Sequence, residues 1–525
     1  MPDQPSQSAQ RFTRRVGLFT LGTLISRLGG LVRESVFAWL FGAGLATDAF
    51  NVAFRIPNFF RDLFAESALS AAFVPTLVQT RRDQGDDHAR RLAANLFNTI
   101  TILLALIVIA GIILAPQIVR LIAWGFRPEP QKLQLTISLT RIMFPFLLFV
   151  ALAAWAMGIL NASGSFFIPA VAPAAFNLIS IAVPLAAWHL LTRLGIHPIT
   201  GMAYGVMLGA LLQFLIQVPK LHALGFRWHP VLDLHDPALH QVFRRWVPMV
   251  LGLATWQINF LVNTFLLTFL PEGSVTWVSY AYRIQHLPAG LFGVAIGTVA
   301  LAQLSQTATS RLDEKQFSHG LNLVSVLTLP AAVLLFVLAV PVVRLIYQHG
   351  RFTAQDTVLT AQALALYALG VWPAAAVRNC AAGFYALGNT RTPALIALLV
   401  VTVNILFNLI FMRLIGFRSF PLAASFTQLL NFSLLFYLLN RRQPGLIQPR
   451  VYTVFLRTLG AAIPAGIASL LIIRLLSSSI RAGITGQLLE VLLAGTAGVI
   501  IFYLLARLFR LTEVQDALNA FIHRR

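Results

Sequence analysis

Apolar residues occupy this chain in blocks of membrane-spanning length that recur from one end to the other. The segments Ile100–Ile122, Phe144–Leu160, Val324–Val343 and Ala394–Ile410 are examples, each long enough to cross a hydrocarbon core of roughly 30 Å. About fourteen such segments follow one another, at roughly 20 apolar residues per span. The pattern predicts an all-α integral membrane protein of about 14 transmembrane helices, with no stretch left over for a soluble domain.

The polar positions set the topology. With the N-terminus on the cytoplasmic side, the inside connections carry the larger share of the basic residues between spans, among them Arg81, Arg82, Arg90, Arg91, Arg244 and Arg245. The opposite connections carry only Arg127, Lys132, Arg193, Arg351, Arg413, Arg418 and Arg481. Basic residues accumulate on the cytoplasmic side of membrane helices, so this asymmetry orients the chain, with both termini inside and an even number of spans. The N-terminal arginines Arg11, Arg14 and Arg15 before an apolar stretch resemble a signal peptide, but Arg27, Arg33 and Glu34 interrupt it. It reads as a retained first helix.

A weak internal repeat divides the chain. Ala53-Phe54-Arg55-Ile56 returns 228 residues later as Ala281-Tyr282-Arg283-Ile284, and Pro116–Ile122 is echoed by Pro341–Ile346. Each repeat holds six spans, and an even number returns the chain to its starting side. The expected arrangement is therefore two parallel six-helix lobes with the substrate path between them. The boundaries are residues 1–224 for the N-terminal lobe, 225–245 for a cytoplasmic connection and 246–442 for the C-terminal lobe. Residues 443–525 provide two C-terminal helices outside the repeat and a cytoplasmic tail.

Composition excludes the soluble classes: 58% of the 525 residues are hydrophobic and 11% charged, with a mean hydropathy of +0.77, against roughly 45–50% apolar usage in soluble domains. The net charge of +21 invites a nucleic-acid reading, but cytoplasmic flanks of membrane helices account for it better. Cys380 is the only cysteine, so disulfides within the chain and multi-cysteine metal sites are ruled out. None of Lys132, Lys220 and Lys315 completes a Walker A loop, and no His-Glu-x-x-His occurs. Gly42-Ala43-Gly44 lacks the third glycine of a dinucleotide loop and reads as a turn. His222, His229, His235 and His240 with Asp233 are spaced too irregularly to favour a metal site; an interfacial loop is the default. No cofactor, metal or catalytic residue is expected.

The chemistry lies in charges placed at membrane depth, where each costs about 2.5–3.5 kcal/mol and therefore normally faces a polar cavity or a partner. The first span holds Arg27, Arg33 and Glu34. The second holds Asp48, Arg55, Arg61, Asp62 and Glu66, and span eight, its repeat partner, holds Arg283. At a rise of about 1.5 Å per residue, Arg27 and Arg61 lie roughly 20–22 Å below the outer ends of their helices, and Arg33 and Arg283 roughly 13 Å. Helical phase pairs Arg27 with Glu34 and Arg55 with Asp62, seven residues apart, and leaves Arg33 and Arg61 pointing elsewhere. Internal ion pairing is one reading. The excess of arginine over acid favours the other, a missing anion, because a guanidinium is always charged and forks onto phosphate oxygens.

At these residues the sequence resembles the MurJ/MviN lipid II flippases of the MOP transporter superfamily. The motifs are Ser26-Arg27, Arg33-Glu34, Phe41-Gly42-Ala43-Gly44, Ala46-Thr47-Asp48-Ala49-Phe50, Pro57-Asn58 with Arg61, Phe64-Ala65-Glu66 and Ala72-Phe73-Val74-Pro75. Later ones are Arg283, Gly293–Thr298, Gly350-Arg351-Phe352-Thr353 and Phe384-Tyr385-Ala386. The resemblance implies fourteen helices in a bacterial inner (cytoplasmic) membrane, alternating access by rocking lobes, and no enzymatic step. It implies substrate binding by Arg27, Arg33, Arg61 and Arg283, gating or coupling by Asp48 and Glu66, and a groove for the lipid tail on the last two helices. The implied partners are the lipid-linked peptidoglycan precursor and membrane lipids, with no nucleic acid and a monomeric working state. Export of another lipid-linked glycan, or multidrug export within the same superfamily, is the alternative. Two departures stand out: His286 replaces an acid that many relatives carry three residues after the span-eight arginine, and Gly383 replaces a carboxylate that contributes to a sodium site in some.

Overall fold

The computed structural model describes residues 25–64, 67–288, 301, 304–305, 311–476 and 483–516. Every regular element among the described residues is helical, because a chain in lipid must satisfy its backbone N–H and C=O groups within each span. Nine helical stretches there are long and apolar enough to cross a membrane. The chain forms two compact units, Met1–Gly273 and Ser274–Arg525.

The first unit opens with α1 (residues 25–41), which ends at Gly42 with a left-handed φ of +66°. Next come α2 (Leu45–Phe64), α3 (Ser67–Gln84) and α4 (Asp86–Ile122). Helices α5 (Pro130–Met143) and α6 (Phe146–Ala162) are parted by Phe144-Pro145, since Pro145 lacks the N–H that would continue the helix unbroken. The unit closes with α7 (Phe167–Arg193), α8 (Thr200–Leu215), the short α9 (Val218–Ala223) and α10 (Pro237–Leu267). Asp236 caps α10, accepting from Ala238 N–H, with Pro237 at its first position. Helix α10 packs on α2, α3 and α4, held in part by Arg245 donating to Thr76 Oγ1 at 3.1 Å.

Helices α7 and α8 meet along a glycine seam. A Cβ at Gly201, Gly205 or Gly209 would stand 3.0 Å from Pro184 Cα, 3.1 Å from Ser180 Cα and 2.8 Å from the Phe176 carbonyl oxygen. Both rows repeat every four residues and so stack along one face of each helix. Lipid tails are as apolar as leucine, so close backbone approach supplies the dispersion contact that binds such helices together.

The second unit comprises α11 (Ser274–Pro288), α12 (Glu314–Val337), α13 (Ala339–Tyr347), α14 (Ala354–Ala368), α15 (Val371–Ala386), α16 (Arg391–Ile415) and α17 (Ser419–Arg442), followed by α18 (Pro449–Leu476) and α19 (Ile484–Leu508). The last two helices dock on α12 and α13 through small residues. A Cβ at Gly466 would lie 2.6 Å from Val333 Cγ1, and one at Gly498 would strike Leu334 and the Ser469 hydroxyl. Ser469 donates across the pair to the Ala494 carbonyl at 2.8 Å, and Arg344 of α13 reaches Glu490 of α19 at 3.6 Å.

Candidate functional site

Helix α2 carries Asp48, Arg55, Arg61 and Asp62 within 20 residues, and it is absent from the apolar spans for that reason. What holds a charged helix in place is therefore informative. At its start, Asp48 is buried with Lys132 of α5, both side chains 2% exposed and 3.2 Å apart. The carboxylate also accepts the Gly273 N–H at 2.8 Å, and the ammonium lies 4.3 Å from the centre of the Phe126 ring. Glu272 accepts the Leu45 N–H, so an acid both caps α2 and complements its dipole. The loop after α10 is thereby pinned to the start of α2. The sequence reading put Lys132 in a connection between spans; the structure places it in α5 and buries it as the counter-ion of Asp48.

Deeper along α2, Arg61 forks onto Asp62 Oδ1 at 2.7 and 3.0 Å. Asp62 also accepts from Gln257 Nε2 at 2.9 Å and Asn58 Nδ2 at 3.3 Å. The Arg55 guanidinium sits 3.8 Å from the Phe260 ring centre. On α1, Arg33 binds Glu34 Oε1 at 2.7 Å and lies 5.2 Å from the Phe176 ring of α7. The same helix is tied to α7 by Asn177, which donates to the Ser26 carbonyl at 2.9 Å. Arg27 is exposed and makes no ion pair among the described residues.

The pairing pattern differs from the one helical phase predicted. Asp62 takes Arg61 rather than Arg55, and Glu34 takes Arg33 rather than Arg27. Adjacent side chains leave a helix about 100° apart, but an arginine is long enough to fold back onto its neighbour's carboxylate. Helical phase compares Cβ directions and does not include that reach. Glu66 lies outside the described residues.

In the second unit, Arg283 is half-buried on α11. Beside it, the Tyr282 hydroxyl lies 3.3 Å from His286 Nε2, and the two rings are 4.3 Å apart. Helix α15 adds a cation outside the candidates read from the sequence: Arg378 is exposed in the middle of an apolar helix. Its signal is a single arginine within Val371–Ala386, a span with no second charge beside it. At the N-terminal end of α11, Trp277 Nε1 donates to Asp356 Oδ1 at 2.9 Å, joining α11 to α14. This occupies nearly the repeat position of the Asp48–Lys132 tie, with the acid moved to the other helix. The four histidines and Asp233 do not converge; no group of three or more His, Cys, Asp or Glu among the described residues could hold a metal.

Comparisons with known proteins match the chain to one family and its fold. The family model described as "Lipid II flippase MurJ" matches residues 37–494. A "Lipid II flippase MurJ" from Burkholderia cenocepacia is 36% identical over 452 residues, covering 84% of this chain and 86% of that one. A "Probable lipid II flippase MurJ" of Vibrio cholerae serotype O1 is 35% identical over 425 residues, covering 79% of this chain and 80% of that one. Among solved structures, "Lipid II flippase MurJ, inward closed conformation" superposes with a TM-score of 0.74 at 26% identity, covering 94% of this chain and 98% of that one. An inward-facing MATE multidrug transporter of the MOP superfamily shares the fold alone, with a TM-score of 0.65 at 14% identity over 82% of this chain and 98% of that one. With most of its length matched by the family model, and by relatives more than 30% identical, the chain belongs to the lipid II flippase MurJ family.

Proposed function

We propose that this protein carries lipid II, the lipid-linked peptidoglycan precursor, from the cytoplasmic to the outer leaflet of the bacterial inner membrane by alternating access, supplying cell wall synthesis. The reading includes fourteen spans with both termini cytoplasmic. Arg27, Arg33 and Arg61 of the first unit and Arg283 of the second take the anionic head group, and Asp48 and Glu66 act in gating or coupling. Arg378, in the middle of α15, is a further cation available on the second unit.

The observation that carries the proposal is the surplus of guanidinium on α1 and α2. Asp62 and Glu34 are used by the neighbouring Arg61 and Arg33, while Arg27 stays exposed without an acid among the described residues. A cation at membrane depth is expensive unless something anionic visits it. A diphosphate suits it, because planar guanidinium groups bind phosphate oxygens in a fork. The deciding experiment reconstitutes the purified protein in vesicles and follows labelled lipid II from one leaflet to the other, then recovers the lipid to check its chemistry. Movement with the lipid unchanged supports transport. Movement no faster than in protein-free vesicles, or a chemically altered product, overturns it.

A further inference from the structure

The segment between α9 and α10 is held against α4 as a strap. Asn95, fully buried, donates to the Asp233 carbonyl at 2.7 Å and accepts the Asp233 N–H at 2.9 Å. One turn along, Asn98 donates to the carbonyls of His229 and Val231 at 2.7 and 2.8 Å, and its own oxygen accepts the Trp228 indole N–H at 3.0 Å. Two asparagines thus bind the strap backbone much as a neighbouring strand would. Its acids are used internally: Asp233 accepts the His235 N–H and faces Arg91, and Asp236 caps α10.

So fixed, the strap presents Trp228, Leu232 and Leu234 at 65%, 53% and 56% exposure. Their place along α4 identifies what they meet. Ile102, Leu106, Ile109 and Ile113 form the exposed apolar stripe of that helix, the face left for lipid. Asn98 precedes Ile102 by four residues, on the same face and about 6 Å nearer the inside end. Counting back from Ile122 by the roughly 20 residues that fill a hydrocarbon core reaches the same level. The Trp228 ring, its N–H already satisfied, therefore sits at the foot of a lipid-facing stripe, where tryptophan belts form. Beside it in the strap, Arg227 is exposed, while Arg90 and Arg91 of α4 are held by Asp87 and Asp233 at 3.1 and 3.7 Å.

We propose that this strap is an anionic-lipid anchor: Trp228, Leu232 and Leu234 enter the acyl–headgroup boundary of the cytoplasmic leaflet, and Arg227 binds its anionic headgroups. The leaflet assignment rests on the orientation proposed above.

The test replaces Cys380 with Ser and places spin labels at Leu232→Cys and Leu234→Cys, with Ile102→Cys and Gly445→Cys as lipid and aqueous references. The full chain is reconstituted in phosphatidylethanolamine with phosphatidylglycerol, or in phosphatidylcholine alone. The expected result is collision with oxygen exceeding collision with a water-soluble nickel chelate at both strap positions, as at Ile102→Cys. Nickel-dominated collision overturns the proposal, and so does low collision with both probes, which marks a protein interface instead. In the charge arm, Arg227→Gln lowers the preference for phosphatidylglycerol about fivefold, from about 1 kcal/mol per basic residue near a membrane surface. An unchanged preference overturns the headgroup assignment. Sidedness is read separately with an impermeant thiol reagent on right-side-out vesicles. Protection of Leu234→Cys until permeabilisation supports the cytoplasmic leaflet, whereas labelling from outside overturns the orientation and leaves the lipid contact to be decided by the spin labels.

Discussion

Among single residues, the arginines and the Asp48–Lys132 pair make different demands on their surroundings. Hydrogen bonds to charged groups contribute about 1.5–3 kcal/mol. Arg27→Ala, Arg61→Ala and Arg283→Ala are therefore each expected to lower lipid II transport by about tenfold or more while leaving the protein inserted, and lysine to restore only part, because it loses the fork. Normal growth of hosts that carry each alanine variant as the sole copy would remove the anion site. Asp48 and Lys132 test burial instead. Removing one partner of a buried pair strands the other charge, at about 3–5 kcal/mol, whereas replacing both with apolar groups costs far less. Lys132→Met is accordingly expected to melt well below the wild type in detergent, and Asp48→Leu/Lys132→Met to recover much of the loss. A double variant less stable than Lys132→Met alone would show that the pair is not coupled in this way.

Helices in this protein are joined where side chains are missing. Enlarging Gly205 or Gly209 drives a side chain into the backbone of α7, and overpacking of that kind costs about 1–3 kcal/mol. Gly205→Val and Gly209→Val are expected to lower thermal stability and the membrane yield, whereas Gly195→Val, with nothing within 4 Å of its Cβ position, reports only the strain of its positive φ. Equal losses at all three would mean that the seam is not the cause. Helices α18 and α19 are joined in the same way, with Gly466 and Gly498 against α12, and we propose that they serve the lipid tail. Removing residues 451–525 is expected to reduce transport of the full precursor more than binding of a soluble head-group analogue; equal losses would refute that division.

For the molecule as a transporter, charge also sets the driving force. An inside-negative potential favours outward movement of negative charge by about 2.3 kcal/mol per charge per 100 mV, and lipid II carries a diphosphate. Carboxylates suited to a coupling cation are scarce in the second unit: Glu490 is committed to Arg344, and Asp356 to Trp277 and the cap of α14. Transport is expected to follow an imposed potassium diffusion potential with sodium and pH equal on both sides. A rate that ignores the potential yet responds to a sodium gradient would sink this expectation.

Hydropathy made the membrane class, the helical fold and the charged spans legible in the sequence, because lipid permits few backbone solutions and penalises every buried charge. The motifs around Arg27, Arg33, Asp48 and Arg61 made the family legible as well. Side-chain partnership was not, since it depends on reach and on contacts far apart in the chain. Only the fold put Lys132 beside Asp48, gave Asp62 to Arg61 rather than Arg55, and bound the 224–236 strap to Asn95 and Asn98. The sequence by itself determined which residues carry charge into the membrane. The tertiary structure decided which of those charges are neutralised, because that depends on how each side chain folds back and on which helices lie beside it, and spacing along the chain records neither.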